Sequence, residues 1–252
     1  MPSEAKPFVR DQKPANRPMW LEALAGLDWF ALRASPVFYG LGIPRGDKSA
    51  VVVIPGFLGT DLYLREIHHW LQRISYRSYL SGIGRNAECL DILTARLLET
   101  VAEAHKKTGR QVHLIGHSLG GILARSAAGK RPDLVKSVIT LGSPFRGIRS
   151  HPMVLQAANL VRARIAANRK PGSHADCYTG FCECSAVGSL AKPFPDSVAQ
   201  TAIYTKQDGI VDWRFCINDD PNTDCEVIGT HVGLVFNAYV YELIAKRLAA
   251  AR

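Results

Sequence analysis

Largely apolar runs of six to ten residues recur along the chain, and the segments between them follow other patterns. The runs are residues 50–56 (AVVVIPG), 111–116 (QVHLIG), 135–144 (VKSVITLGSP) and 200–205 (QTAIYT). Because they are rich in β-branched residues, they predict strands buried on both faces of a parallel sheet. Residues 88–107 instead place leucine, valine and alanine on one helical face, and Gly109 follows as a stop signal. Strands that alternate with helices predict a mostly parallel, doubly wound sheet flanked by helices.

Residues 146–199, between the third and fourth predicted strands, contain no strand signal. A connection of this length usually has its own role in a compact domain. Its first part has the apolar spacing of a helix, and its second part carries cysteines and prolines. We interpret 146–199 as a cap, or lid, over the carboxyl ends of the strands, where open α/β sheets bind ligands. A structural insertion remote from any site is the alternative.

Residues 1–47 form a predicted N-terminal extension, and residues 48–252 form the predicted main domain with its cap insertion. Within the extension, residues 19–35 predict a helix with one apolar stripe. The stripe consists of Trp20, Leu24, Leu27 and Ala31. We expect it to pack onto the protein's own sheet; contact with a membrane or another subunit is the alternative.

The composition and charge of the chain indicate its size class, its partners and its location. The chain has 252 residues, 47% of them hydrophobic, which is enough for a full core. Its net charge of +9 comes from scattered Lys and Arg residues without a recognisable nucleic-acid motif, so we expect no nucleic-acid partner. No stretch approaches the ~20 apolar residues of a membrane span, and residues 1–18 are polar where a signal peptide is apolar. We therefore expect a cytoplasmic location, with secretion as the alternative because the cysteines cluster.

Five of the six cysteines lie close together late in the chain. They are Cys177, Cys182, Cys184, Cys216 and Cys225. Such clustering is typical of disulfides or of a metal site, and the Cys-x4-Cys-x-Cys spacing matches no common zinc knuckle. We expect disulfides that stabilise two loops, although cytosolic thiols are normally reduced. Free thiols and a metal site are the alternatives.

A Gly-x-Ser-x-Gly sequence joins the second predicted strand to a helix. It consists of Gly116, Ser118 and Gly120 in the stretch IGHSLGGI. A serine on such a sharp turn needs neighbours almost without side chains, and the start of the helix favours negative charge that develops beside it. The pentapeptide also occurs by chance. Its position after a β-branched strand and before a helix favours Ser118 as a nucleophile.

Ser118 needs a general base, because a serine hydroxyl is a poor nucleophile until its proton is removed. Among eight histidines, His231 stands between a short strand-like run and the last predicted helix. Asp208 lies in an Asp-Gly turn just after the fourth strand and is the predicted acid, with Asp212 as the alternative. The order Ser118, Asp208, His231 is the order that α/β-hydrolases use.

The chain resembles the bacterial lipase and esterase branch of the α/β-hydrolase superfamily, from about residue 48 onwards. The resemblance rests on VIPGFLGTD, GIGRN, GHSLGG, TLGSPFRG, DGIVDW and GTHVGL, in that order. It implies the α/β-hydrolase fold and an oxyanion hole made by the backbone N–H groups of Phe57 and Leu119. The common His-Gly pattern is replaced here by Pro55-Gly56, which leaves the backbone donors in place.

The activity implied by this resemblance is hydrolysis of carboxylic esters through an acyl-enzyme on Ser118, without a cofactor or metal. The apolar stretches favour hydrophobic acyl or polyester-like substrates, and Leu58 and His117 are the expected substrate contacts. The expected partners are a small-molecule or lipid ester and, transiently, a lipid interface; the oligomeric state stays open. An acyltransferase with the same triad and a non-catalytic binding protein on this scaffold are the alternatives.

Overall fold

Six parallel strands form the central sheet, in the order β2-β1-β3-β4-β5-β6. The computed structural model describes residues 18–147, 149–179 and 181–251. The strands are β1 (Ala50–Ile54), β2 (Arg77–Leu80), β3 (Val112–His117), β4 (Val135–Leu141), β5 (Ala199–Tyr204) and β6 (Asp224–Glu226). All four predicted strands are present. The edge strands β2 and β6 escape prediction because they are short and largely polar.

Helices connect these strands. The α-helices of the described residues are α1 (Ala25–Ala34), α2 (Arg65–Arg73), α3 (Leu90–Thr108), α4 (Leu119–Lys130), α5 (Pro152–Ala167), α6 (Ser185–Leu190) and α7 (Ala238–Ala250). Short 3-10 helices span Met19–Leu24, Pro36–Tyr39, Asp61–Leu64, Trp213–Phe215 and Gly233–Phe236. The predicted stop signal is correct, because Gly109 caps α3 in the left-handed conformation at φ 67°.

Helices cover both faces of the sheet, so β1 is buried from two sides. Its residues Val52 and Ile54 belong to the core shared with α3 and α4. Val51 and Val53 belong to the core on the other face, shared with α2 and α7. Two-sided burial explains why β1 has no polar positions. The predicted doubly wound parallel sheet is confirmed, and it is the α/β-hydrolase architecture.

The segment between β4 and β5 carries α5 and α6. Helix α5 contributes Met153, Val154 and Ala158 to the wall of the large cavity described below. Its outer face leaves Leu160 exposed. The predicted cap segment, 146–199, therefore lies beside a cavity rather than remote from one, and its action as a lid stays a prediction.

The N-terminal segment leaves its apolar stripe in solvent. The exposed residues are Trp20, Leu24, Leu27 and Ala31. Helix α1 buries Ala25 and Leu32 instead, and Leu32 reaches the core shared with α7. The expectation that the stripe packs onto the sheet is therefore wrong. No α-helix in the described ranges combines the length and apolarity that a membrane span needs. Residues 1–17 of the predicted extension lie outside the described residues.

All six cysteines belong to the described residues, and each carries a free thiol. The predicted disulfides are therefore not present in the structure. Cys89, which stands far from the others in sequence, joins Cys177, Cys182 and Cys184 in one buried group.

Candidate active site

Ser118 occupies the sharp turn between β3 and α4. Its backbone has φ 53° and ψ −123°, a strained conformation for a residue with a side chain. Its N–H donates to the Leu141 carbonyl at 2.8 Å, which ties the turn to the neighbouring strand β4. The fold thus holds Ser118 at the carboxyl end of the central strands, as the sequence context predicts.

The two glycines of the turn are required by close backbone approach. A Cβ at Gly116 would overlap the backbone of Gly120 and Gly121. A Cβ at Gly120 would lie 2.6 Å from the Pro55 carbonyl oxygen and closer still to that of Ile54. Helix α4 therefore packs against β1 and β3 at a distance that only glycine permits.

Asp208 and His231 form a buried acid–base pair. The His231 Nδ1 lies 2.6 Å from Asp208 Oδ2, and both side chains are almost fully buried. The other carboxylate oxygen accepts the N–H groups of Ile210 and Val211 at 2.9 and 2.7 Å. Asp212 faces elsewhere and pairs with Arg214 through two hydrogen bonds. The geometry therefore joins His231 to Asp208 and not to the alternative acid.

Two opposing effects set the pKa of His231. Burial by itself lowers this pKa, because it penalises the charged imidazolium. Attraction to Asp208, the hydrogen bond with Asp208 and the nearby Glu22 carboxylate together outweigh burial, so the pKa of His231 is raised above its ordinary value. The site is thus electrostatically prepared to stabilise a protonated His231.

Phe57 and Leu119, the predicted oxyanion donors, flank Ser118 in the same cavity. Within the described residues, no protein group accepts a hydrogen bond from the N–H of either residue. Asn86 fixes the loop that carries Phe57. Its side-chain amide donates to the Pro55 carbonyl at 2.7 Å, and its backbone carbonyl accepts from Leu58 N–H at 2.8 Å. Asn86 therefore holds the loop that presents the free N–H of Phe57, while the start of α4 presents that of Leu119.

A directional chain of hydrogen bonds connects this loop to His231. The His231 carbonyl can only accept, so the His117 Nε2–H donates to it at 3.0 Å. His117 Nδ1 is then the acceptor for the Tyr63 hydroxyl at 2.9 Å, and that hydroxyl accepts from Gly56 N–H. Burial and the neighbouring His231 lower the pKa of His117 to about 3, so His117 stays neutral. His117, a predicted substrate contact, has both ring nitrogens committed to the protein.

Glu22, from the N-terminal segment, binds both loops of the acid–base pair. Its carboxylate accepts from Gly209 N–H at 3.0 Å, next to Asp208. It also accepts from His231 N–H at 3.1 Å and Val232 N–H at 2.8 Å. One carboxylate therefore fixes the loop that carries Asp208 relative to the loop that carries His231.

A cavity of about 420 Å³ opens beside Ser118 and His231. Its volume lies in the range of ligand pockets. Its walls are mostly apolar and come from the loop after β1, from α4, from α5 and from the segment around Tyr178. Leu58, a predicted substrate contact, lines it and is 41% exposed. The arrangement suits an apolar chain that ends at a polar group next to Ser118.

The sequence predicted Ser118, Asp208, His231, Phe57, Leu58, His117 and Leu119, and all but Asp208 line this cavity. Asp208 reaches it through His231. Sequence reasoning missed the positioning roles of Tyr63, Asn86 and Glu22. Asn86 lies in the GIGRN stretch, so a signal was present; Tyr63 and Glu22 act across the fold and leave no local pattern.

The sheet order and the flanking helices define the α/β-hydrolase fold. Residues 50–169 match the α/β hydrolase fold family. The match covers slightly less than half of the chain, and the fold of the chain is the α/β-hydrolase fold.

Sequence relatives of the chain include triacylglycerol lipases and a thioesterase, and a solved lipase structure shares its fold. The chain is 29% identical to a triacylglycerol lipase from Burkholderia plantarii over 151 residues, which cover 55% of this chain and 42% of that protein. It is 26% identical to the mitochondrial palmitoyl-protein thioesterase ABHD10 of Rattus norvegicus over 219 residues, 77% of this chain and 71% of that one. The mature Bacillus licheniformis lipase BlEst2 shares the fold, with a TM-score of 0.56 and 17% identity over 82% of this chain and 94% of that chain. The chain thus spans less than half the length of the lipase from Burkholderia plantarii.

Proposed function

We propose that the protein is a serine hydrolase that cleaves carboxylic esters with apolar acyl groups. The observation that carries the proposal is the buried Asp208–His231 pair, whose His231 lines the same apolar cavity as the strained Ser118 turn. This combination supports a Ser-His-Asp triad made of Ser118, His231 and Asp208. The triacylglycerol lipases among the sequence relatives support it.

In the proposed reaction, His231 is the general base. Its Nδ1 is bound to Asp208, which leaves Nε2 to take the proton of Ser118 as the serine oxygen attacks the ester carbonyl. The N–H groups of Phe57 and Leu119 stabilise the negative oxygen. His231 then gives the proton to the departing alcohol, and an acyl-Ser118 ester remains. Water, deprotonated by His231, attacks this ester and releases the carboxylic acid and free Ser118.

The cavity walls favour a hydrophobic acyl chain over a charged metabolite. An apolar chain gains about 25 cal/mol for each Å² that it buries. A long-chain thioester is a second candidate, because the relative with the larger coverage is named a palmitoyl-protein thioesterase. Exposed Trp20, Leu27 and Phe30 support transient contact with a lipid interface.

Labelling with a fluorophosphonate probe tests the nucleophile. We expect stoichiometric labelling of the wild type and none of Ser118→Ala. Ser126→Ala is the matched control, because Ser126 lies in α4 and its buried hydroxyl has no partner among the described residues. Absence of labelling in the wild type contradicts the serine-hydrolase proposal.

A series of p-nitrophenyl esters and matched thioesters, from short to long acyl chains, tests the substrate class. We expect activity to rise with chain length until the cavity is filled. Running the series with and without an emulsified interface measures interfacial contact. Adding an alcohol acceptor distinguishes hydrolysis from acyl transfer. A preference for charged or very short acyl groups contradicts the assignment.

A further inference from the structure

Four cysteine sulfurs meet in one buried place between α3 and the segment that precedes α6. Cys89 is the residue before α3, and Cys184 is the residue before α6. Cys177 and Cys182 lie in the loop between α5 and α6. The four residues are at most 6% exposed. Two segments that are distant in sequence thus bring their thiols into one buried group.

Three of the sulfurs, those of Cys89, Cys177 and Cys184, lie within 4.8 Å of one another, as the ligands of one metal ion do. Cys184 Sγ lies 3.6 Å from Cys89 Sγ and 3.1 Å from Cys177 Sγ. Cys182 Sγ lies 3.9 Å from Cys177 Sγ. Four thiolates at about 2.3 Å from a tetrahedral zinc ion are about 3.8 Å apart. The observed separations bracket this value.

The contacts form a connected group rather than two pairs. Cys184 approaches both Cys89 and Cys177, while Cys177 approaches both Cys184 and Cys182. Two disulfides would divide the four sulfurs into separate partners. A shared centre uses all of these contacts at once.

The surroundings favour thiolates. Cys89 lies at the positive end of the 19-residue helix α3, and the backbone N–H of Cys184 donates to Cys182 Sγ at 3.3 Å.

The nearby Asp91 and His174 are engaged otherwise. Asp91 accepts the N–H groups of Ser185 and Ala186 at 2.9 and 2.8 Å and so caps α6. His174 pairs with Asp91 at 3.3 Å. The thiols are therefore the donor set that remains.

We propose that Cys89, Cys177, Cys182 and Cys184 bind one structural zinc ion. Binding replaces the thiol protons: one Zn²⁺ and four thiols give a tetrathiolate zinc centre and four protons released to solvent. The ion joins the start of α3 to the segment that carries Tyr178. Because Leu90 and Tyr178 both line the cavity, the zinc centre fixes one wall of the acyl-binding region.

Metal analysis of the full chain, purified with a non-thiol reductant and no chelator, tests the proposal. We expect about one zinc per chain. Cys89→Ser and Cys184→Ser should lose it, while Cys225→Ser, a cysteine outside the group, should keep it. All six thiols should react with a thiol reagent after chelation and unfolding, and the four of the group should stay unreactive in the native zinc-bound chain.

Cobalt substitution keeps the test independent of how well the variants fold. Co²⁺ added to the reduced, metal-stripped wild type should give intense sulfur-to-cobalt absorption bands of a tetrahedral thiolate site. A reduced chain that contains no zinc and gives no such bands overturns the proposal. Two disulfides among these four cysteines in the isolated protein, found by non-reducing peptide mass spectrometry, overturn it as well.

Discussion

At the scale of single residues, the Tyr63 hydroxyl is the middle of the chain that joins the oxyanion loop to the base loop. It accepts from Gly56 and donates to His117, which in turn donates to the His231 carbonyl. Three groups with fixed donor and acceptor roles therefore set the distance between the proposed oxyanion donors and the proposed base. Tyr63 acts as a positioning residue.

Tyr63→Phe removes this hydroxyl and leaves Gly56 N–H and His117 Nδ1 without their partner. Each buried hydrogen bond contributes about 1 kcal/mol, so we expect kcat/KM to fall about 10-fold, mainly through kcat. Steady-state kinetics on a p-nitrophenyl ester measure this change. Tyr39→Phe, at a 54% exposed position, is the control. A Tyr63→Phe enzyme with wild-type kcat shows that the chain has no positioning role.

The pH profile of kcat/KM reports the proposed base. His231 must be neutral to accept a proton, and its pKa is raised, so we expect activity to fall as pH drops through a value above the ordinary histidine range. His117, with a pKa of about 3, does not contribute to this fall in activity, which is the acid limb of the profile. Asp208→Asn removes an attraction that raises the pKa, so the limb should move to lower pH while the rate falls about 10³- to 10⁴-fold.

Asp212→Asn is the matched control for Asp208→Asn, because Asp212 pairs with Arg214 instead of His231. We expect its acid limb to coincide with that of the wild type. If the acid limb moves in Asp212→Asn and not in Asp208→Asn, Asp212 is the acid and our assignment of Asp208 is wrong.

The order of the candidate catalytic residues along the chain explains why the sequence could predict them. Ser118, Asp208 and His231 each follow a strand or precede a helix, and their order is typical of one superfamily. Tyr63 lies in a short 3-10 helix, and its partners are distant in sequence. Such contacts depend on packing of the finished fold, which periodicity does not encode.

At the scale of elements, helix α4 owes its close packing on the sheet to Gly120, which faces the end of β1. We expect Gly120→Ala to lower the free energy of unfolding by about 2 kcal/mol or more and to abolish most activity, because its Cβ overlaps β1 backbone oxygens. Urea unfolding measures the change. Gly129→Ala in the same helix, where the nearest atom is the Ser189 Cβ at 3.8 Å, should be neutral or stabilise by up to about 1 kcal/mol. Equal effects of the two substitutions contradict the close-packing explanation.

The elements also divide into predictable and unpredictable ones for a physical reason. Strands buried on two faces, such as β1 and β3, carry long apolar runs and are visible in sequence. Strands β2 and β6 are held by pairing at the sheet edges, which leaves little hydrophobic pattern. The apolar stripe of the N-terminal segment has the period of a buried face, but its residues are exposed.

At the scale of the whole molecule, Glu22 connects the beginning of the described chain to loops near residues 209 and 231. We expect Glu22→Ala to lower the free energy of unfolding by about 1–3 kcal/mol, because three backbone N–H groups lose a charged acceptor. The acid limb of the pH profile should move to lower pH, since Glu22 helps to raise the pKa of His231. Thermal unfolding and the pH profile measure the two effects.

Glu103→Ala, which breaks an exposed pair with Lys107 on α3, should change the free energy of unfolding by less than about 0.5 kcal/mol and leave the profile unchanged. A pH profile of Glu22→Ala identical to that of the wild type would show that the contact is structural only.

At this scale, the proposed catalytic residues also lie far apart along the chain and are therefore synthesised at different times. A nascent chain presents Ser118 more than 100 residues before His231, and β5, Asp208 and β6 are made in between. Domains fold as units, so the emerging polypeptide carries an inert serine until its last strands and the histidine loop have docked. The proposed ester hydrolysis therefore requires the complete sheet and cannot begin on a partly synthesised chain.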